Sequence, residues 1–162
     1  MAQQLDHIVT DSVTVHGASH TGQVKPVNED RFLIRRLEAH RTLFAVADGL
    51  GGGFRGDAAA QTAVDDLNTL SLPPEKNREP ALIKAVHAID GHICRKIEAR
   101  PELEGMATTL VCGVLDGNRL SWVNVGDSRL YLKRGKTLSR ITEDQTLAKF
   151  LLDEGEITAE QA

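Results

Sequence analysis

Between Thr108 and Ile141 the chain reads as four short runs rich in β-branched and apolar residues: Thr108 to Leu115, Arg119 to Val125, Arg129 to Lys133 and Thr137 to Ile141. The triplets Asp116-Gly117-Asn118 and Arg134-Gly135-Lys136 separate them, and such glycine-centred triplets close hairpins because glycine accepts the positive φ that tight turns demand. Consecutive hairpins make an antiparallel meander. That argues against a doubly wound parallel sheet, whose neighbouring strands need a crossover between them.

Upstream, Leu43 to Thr62 joins a strand, a glycine loop and a helix. Leu43 to Ala47 is a short apolar run, as a strand buried on both faces would be, and Asp48 ends it. The glycines from Gly49 to Gly56 permit close backbone approach, so something small and charged is expected against this backbone. From Asp57, which is placed to cap, Ala60, Ala63, Val64, Leu67 and Leu70 recur at helical spacing. Without chemistry, this is simply a strand, a loop and a helix. With chemistry, two readings compete. Gly51 to Gly56 fits G-x-G-x-x-G, the dinucleotide fingerprint, but Pro73-Pro74, a polar run and another helix follow where a second parallel strand is needed. In the other reading Asp48 is a hard oxygen ligand for a divalent cation, with a loop carbonyl beside it.

Composition narrows the class. The 162 residues suit one domain, and with 41% apolar residues but one Trp, one Tyr and four Phe the core must be mostly aliphatic. A net charge of -4 with scattered Lys and Arg offers no footprint for nucleic acid. No apolar run approaches 18 residues and the first residues lack a signal pattern, so neither membrane nor export is expected and the location is read as cytoplasmic. Cys94 and Cys112 have no metal-type spacing and read as core thiols. His16 and His20 share a strand face without a third ligand nearby, and His7, His40, His87 and His92 are likewise unpartnered.

The remaining segments are scaffold or ambiguous. Ser12 to Ala18 reads as a strand. Lys25-Pro26-Val27-Asn28-Glu29-Asp30 leads into Phe32-Leu33-Ile34, and neighbouring strand residues point to opposite faces, so Glu29 and Asp30 reach one pocket only if the strand entry is irregular. A solvated turn and a ligand pair stay equally open. Pro80 opens a helix of roughly twenty residues whose Leu82, Ile83, Val86, Ile89, Ile93 and Ile97 form one stripe.

Four motifs, VNEDRF at Val27 to Phe32, FAVADGLGG at Phe44 to Gly52, GMATTL at Gly105 to Leu110 and VGDSRLYL at Val125 to Leu132, resemble in order those of the metal-dependent serine/threonine protein phosphatases of type 2C, most closely the bacterial members. The resemblance implies an α+β fold, a four-layer αββα sandwich of antiparallel sheets flanked by helices. By position, Asp48 matches the aspartate that bridges two Mg2+ or Mn2+ ions and Gly49 the carbonyl ligand. Glu29 and Asp30 match the acidic pair around the metals, and Asp127 the aspartate for a third metal in bacterial members. Lys25 stands where a phosphate-binding arginine is usual, and it offers a point charge in place of a planar fork. Leu50 replaces a histidine of many eukaryotic relatives that acts as general acid.

The implied chemistry is hydrolysis of phosphoserine or phosphothreonine by a hydroxide between two cations, without a covalent intermediate. No Ser or Cys stands beside a histidine base, as covalent catalysis would require. The implied partners are phosphorylated proteins, substrates of a Ser/Thr kinase. A non-catalytic phosphoprotein-binding or regulatory remnant is the alternative.

At the C-terminal end, Thr142 to Gln145 reads as a capping box opening a helix with Leu147, Phe150 and Leu151 on one face, ended by Gly155. Thr158 to Gln161 is a second box. The family's Ser-Asp-Gly and final Asp-Asn motifs do not occur, so residues 1–162 are expected to be the N-terminal two thirds or so of such a domain, and self-association or a completing partner is expected to cover the open sheet.

Overall fold

The computed structural model describes residues 3–9, 13–38, 41–50, 54–73, 78–158 and 160–161. The dinucleotide-type triplet Gly51 to Gly53, His40, Pro74 and the first three residues of the polar run Glu75 to Glu79 lie outside the described residues. The strands are β1 (Gln3–Val9), β2 (Thr14–His20), β3 (Asp30–Arg36), β4 (Arg41–Leu50), β5 (Ala107–Thr108), β6 (Leu110–Asp116), β7 (Arg119–Val125), β8 (Tyr131–Arg134) and β9 (Thr137–Arg140). The helices are α1 (Phe54–Thr69), α2 (Arg78–Ala99) and α3 (Leu147–Asp153). The central sheet has the order β3-β4-β6-β7, with β5 on the end of β4, while β1 and β2 form one hairpin and β8 and β9 another. Every pairing is antiparallel. A parallel dinucleotide fold is thereby overturned, and the α+β architecture of antiparallel sheets with flanking helices is the one adopted.

One face of the central sheet carries the core. Leu43, Ala45 and Ala47 of β4 with Cys112 and Val114 of β6 are at most 2% exposed, and they pack with Ala59, Ala60, Ala63 and Leu67 of α1. Alanines let the helix axis come close. Leu82, Ile89 and Ile93 of α2 complete this layer. Leu43, Leu67 and Leu82 are each essentially inaccessible to water, which contributes about 1.5–3 kcal/mol per side chain.

Among the described residues, the opposite face is covered mainly beside β3, by the first hairpin. Gly17 of β2 lies so close to Phe32 that a Cβ there would sit 2.4 Å from the ring. Val46, directly across from Phe32, is 47% exposed. The expectation that the run Leu43 to Ala47 is buried on both faces is therefore corrected: it alternates, because helices cover one side and the first hairpin packs mainly against β3.

Several local expectations shift. Helix α1 starts at Phe54, so Asp57 lies in its first turn and is not the cap; its carboxylate pairs with Arg31 of β3. Cys94 is exposed, one helical step beyond buried Ile93, and only Cys112 is a core thiol. Ile83 is likewise on the outer side of α2. Helix α3 is capped by Thr146, whose hydroxyl accepts from Lys149 N–H at 3.1 Å; Thr142 instead is buried and accepts from Leu130 N–H at 3.0 Å. Gly155 ends α3 at φ +74°, as its position suggested. His92 is not unpartnered, since its Nδ1 lies 2.9 Å from Asp66, and the His7 and His16 rings stack across the first hairpin. No helix among the described residues is long and apolar enough to cross a membrane.

Candidate functional site

Strand β4 continues through Asp48 to Leu50, and its register with β3 sets Asp30 directly opposite Asp48. Both side chains lie on the sheet face away from α1, by the alternation that sends Leu43, Ala45 and Ala47 into the core. Like charges directly opposite one another are destabilising in a sheet. The Asp48 carboxyl is accordingly held above its ordinary range, first by burial and then by the charge of Asp30 and a hydrogen bond shared with it. Asp127 adds to that rise through space and Lys25 opposes it. Asp30 and Asp48 line a cleft of about 300 Å³ with Ala18, Ser19 and His20 of β2 and with Val46 and Ser128.

Glu29 is turned the other way. It is 5% exposed, and its Oε1 lies 2.8 Å from where a Cβ on Gly56 of α1 would be. Its Oε2 accepts from Lys25 Nζ at 2.5 Å, while Oε1 is buried without a partner among the described residues. This hydrogen bond and the Glu29 charge hold the Lys25 ammonium above its ordinary range. The doubt raised by strand alternation is thus answered by geometry: adjacent acids take opposite sides, and the glycine backbone expected to face something charged has the Glu29 carboxylate against Gly56. Gly49 fits only as glycine, since its N–H donates to Glu29 O at 3.2 Å and a Cβ would fall 2.2 Å from Gly56 O.

Of the six residues singled out in the sequence, the structure brings Asp30 and Asp48 together, with Asp127 and Lys25 within electrostatic reach. It sets Glu29 and the Gly49 backbone behind them. Among the described residues no three His, Cys, Asp or Glu side chains converge on one point. Two facing carboxylates and a third at longer range are nevertheless hard oxygen donors, and Mg2+-like ions are commonly held by one or two carboxylates with water filling the other positions. The raised affinity of Asp48 for a proton marks a place where positive charge is favoured. The donor chemistry therefore fits a small divalent cation.

Three hydroxyl residues were missed, Thr108, Thr109 and Ser128. Asp48 is clamped along its backbone: Thr109 N–H donates to Asp48 O at 2.9 Å, Thr108 Oγ1 donates to the same oxygen at 3.1 Å, and Asp48 N–H donates to Thr109 Oγ1 at 3.3 Å. Thr109 Oγ1 also lies 2.6 Å from Ser128 Oγ. The only signal in the sequence was the presence of all three inside the motifs GMATTL and VGDSRLYL.

The sequence profile of the protein phosphatase 2C family matches residues 16–156. The chain is 41% identical over 145 residues to the serine/threonine protein phosphatase PstP of Mycobacterium tuberculosis, covering 89% of this chain and 27% of that protein. It is 35% identical over 146 residues to the serine/threonine phosphatase stp of Listeria welshimeri, covering 87% and 58%. Among solved structures, the PstP catalytic domain in complex with two manganese ions superposes with a TM-score of 0.70 at 36% identity, covering 99% of this chain and 62% of that one. The chain thus spans less than two thirds of the length of each of these relatives.

Proposed function

Since the chain belongs to the protein phosphatase 2C family, we propose that it is the metal- and phosphate-binding part of a phosphoserine/phosphothreonine protein phosphatase. The observation that carries this reading is the cross-strand pair Asp30 and Asp48 at the cleft, with Asp48 held proton-avid by burial and by the facing Asp30. Asp48, Asp30 and Asp127 would hold Mg2+ or Mn2+, with the Gly49 backbone beside them; PstP, solved with two manganese ions, supports that choice. Such ions, when bound, neutralise phosphoryl charge and lower the pKa of water.

The chain's own residues supply the rest. Lys25 is 63% exposed at its side chain and carries its ammonium beside Glu29, within reach of Asp48 and Asp30, where it serves an incoming phosphate as a point charge. Glu29 keeps that ammonium in place and tunes the cation site from behind. The partners this fits are phosphorylated proteins modified by a serine/threonine kinase. A second reading, phosphoprotein binding without turnover, is favoured by one fact: no third carboxylate converges on Asp30 and Asp48 among the described residues.

Titration calorimetry with Mn2+ tests the site, and release of phosphate from a phosphothreonine peptide separates the two readings. Asp48→Asn should weaken Mn2+ by about 100-fold or more, beyond the 10- to 100-fold typical of losing a supporting residue. Unchanged Mn2+ affinity in this variant would remove Asp48 from the site. Peptide binding without turnover would select the binding module.

A further inference from the structure

The hydrogen bonds around Asp48 have a direction. Thr109 is 5% exposed, and its Oγ1 accepts from Asp48 N–H at 3.3 Å. Its one hydroxyl proton has a single acceptor among the described residues, Ser128 Oγ at 2.6 Å. Were Ser128 the donor of that contact, Thr109 Oγ1 would accept twice and its own buried proton would go unmatched, which costs about 1–3 kcal/mol. The proton order is therefore Asp48 N–H to Thr109 Oγ1, then Thr109 O–H to Ser128 Oγ. That leaves the Ser128 proton uncommitted, and Ser128 has no other hydrogen-bond partner among the described residues.

The position of this free donor is equally defined. Gly126, at φ +89°, lies on the Thr109 side chain so closely that a Cβ would be 2.7 Å from its methyl group, which fixes the loop carrying Asp127 and Ser128 against Thr109. Gln145 N–H and Asn124 Nδ2 both donate to Gly126 O, at 2.9 and 3.3 Å, and tie the loop from its other side. Ser128 lines the cleft with Asp30 and Asp48. In a cleft that also carries the carboxylates of Asp30 and Asp48, a neutral, oriented O–H is a group that an anionic oxygen can use.

We propose that Ser128 is a substrate-binding residue that donates its hydroxyl proton to an oxygen of a phosphate group in this cleft, and that Thr109 is the positioning residue that fixes its direction. The inference rests on the phosphatase reading and deepens it. Ser128 supplies a short neutral donor, complementing the distant charge of Lys25. A hydrogen bond to a charged acceptor is among the stronger ones, and its loss corresponds to roughly a tenfold change in affinity.

Orthophosphate binding to the Mn2+-loaded chain, measured by calorimetry, is the test. Ser128→Ala should bind phosphate roughly tenfold more weakly with Mn2+ affinity unchanged. Thr109→Val, which keeps shape and removes the hydroxyl, should lose a similar factor, and the double variant no more than either alone, because both changes remove one coupled interaction. Thr109→Ser should retain phosphate affinity. Equal phosphate affinity in Ser128→Ala and the unaltered chain, or a parallel fall in Mn2+ affinity, would overturn this inference alone. Independent, additive losses would overturn the role of Thr109. No phosphate binding by the unaltered Mn2+-loaded chain would overturn both this inference and the reading it rests on.

Discussion

Gly49 and Gly56 meet backbone to backbone: a Cβ on Gly49 would lie 2.2 Å from the Gly56 carbonyl oxygen and 2.7 Å from that of Glu29. Through this contact the first turn of α1 docks on the end of β4, directly behind Asp48. Nothing there can yield by rotating a side chain.

Gly49→Ala should therefore destabilise the fold by about 3 kcal/mol, at the upper end of overpacking costs, since the obstacles are main-chain atoms. Gly91 in α2 is the contrasting case. Its added Cβ meets only the tip of Arg95 at 3.3 Å, so Gly91→Ala should stabilise by up to about 1 kcal/mol through helix propensity. Urea unfolding of the two variants checks both signs.

Lys25→Ala should weaken orthophosphate binding while leaving Mn2+ affinity undiminished, because it removes a cation from among Glu29, Asp30 and Asp48. It should also lower stability, since Glu29 already has one buried oxygen without a partner among the described residues and would then have two. Lys25→Arg should recover both properties. Phosphate affinity unaltered in both variants would make Lys25 a support for Glu29 and nothing more.

The loop after β7 is braced by an acid-sensitive clasp. Asp144 accepts from Arg129 at 2.6 and 2.9 Å and from Arg140 at 3.1 Å, and chiefly the Arg129 hydrogen bond holds its carboxyl below the usual range. A depressed folded pKa means that the stabilisation is complete above the unfolded value of 3.8 and is lost as pH falls through the folded one. Asp144→Asn should therefore melt lower than the unaltered chain at neutral pH, and the gap should close in acid below 3.8. A gap independent of pH would show that the clasp acts by shape and not by charge.

The two cysteines should differ in reactivity. Burial pushes the Cys112 thiol up to about 12, and it is inaccessible in β6, whereas Cys94 stands exposed on α2. A thiol reagent at pH 8 should label Cys94 at once and Cys112 only after unfolding. Cys94→Ser should leave no rapidly reacting thiol in the native chain.

Short-range pattern decided most of the architecture. Turn residues at Gly117 and Gly135 and the β-branched and apolar runs of β6 and β7 state the hairpins within a few residues of chain, and the stripe through Leu82, Ile89 and Ile93 states α2 in the same way. The order of the four motifs likewise made the family legible. What the linear pattern could not supply was which side chains meet. Whether Asp30 faces Asp48 depends on the register between β3 and β4, where a slip of one residue would turn every side chain to the other side. The same alternation sends Glu29 behind the sheet to Lys25 and Gly56, although it neighbours Asp30 in the chain. Cys94 and Cys112 look alike among apolar neighbours, and only the rotation of α2 separates them. Thr109 stands 61 residues from Asp48 and 19 from Ser128, so its hydroxyl has no partner until the sheet has closed. Periodicity and turn chemistry are local properties of a chain, whereas a site is a set of contacts between segments that only packing brings within hydrogen-bond reach.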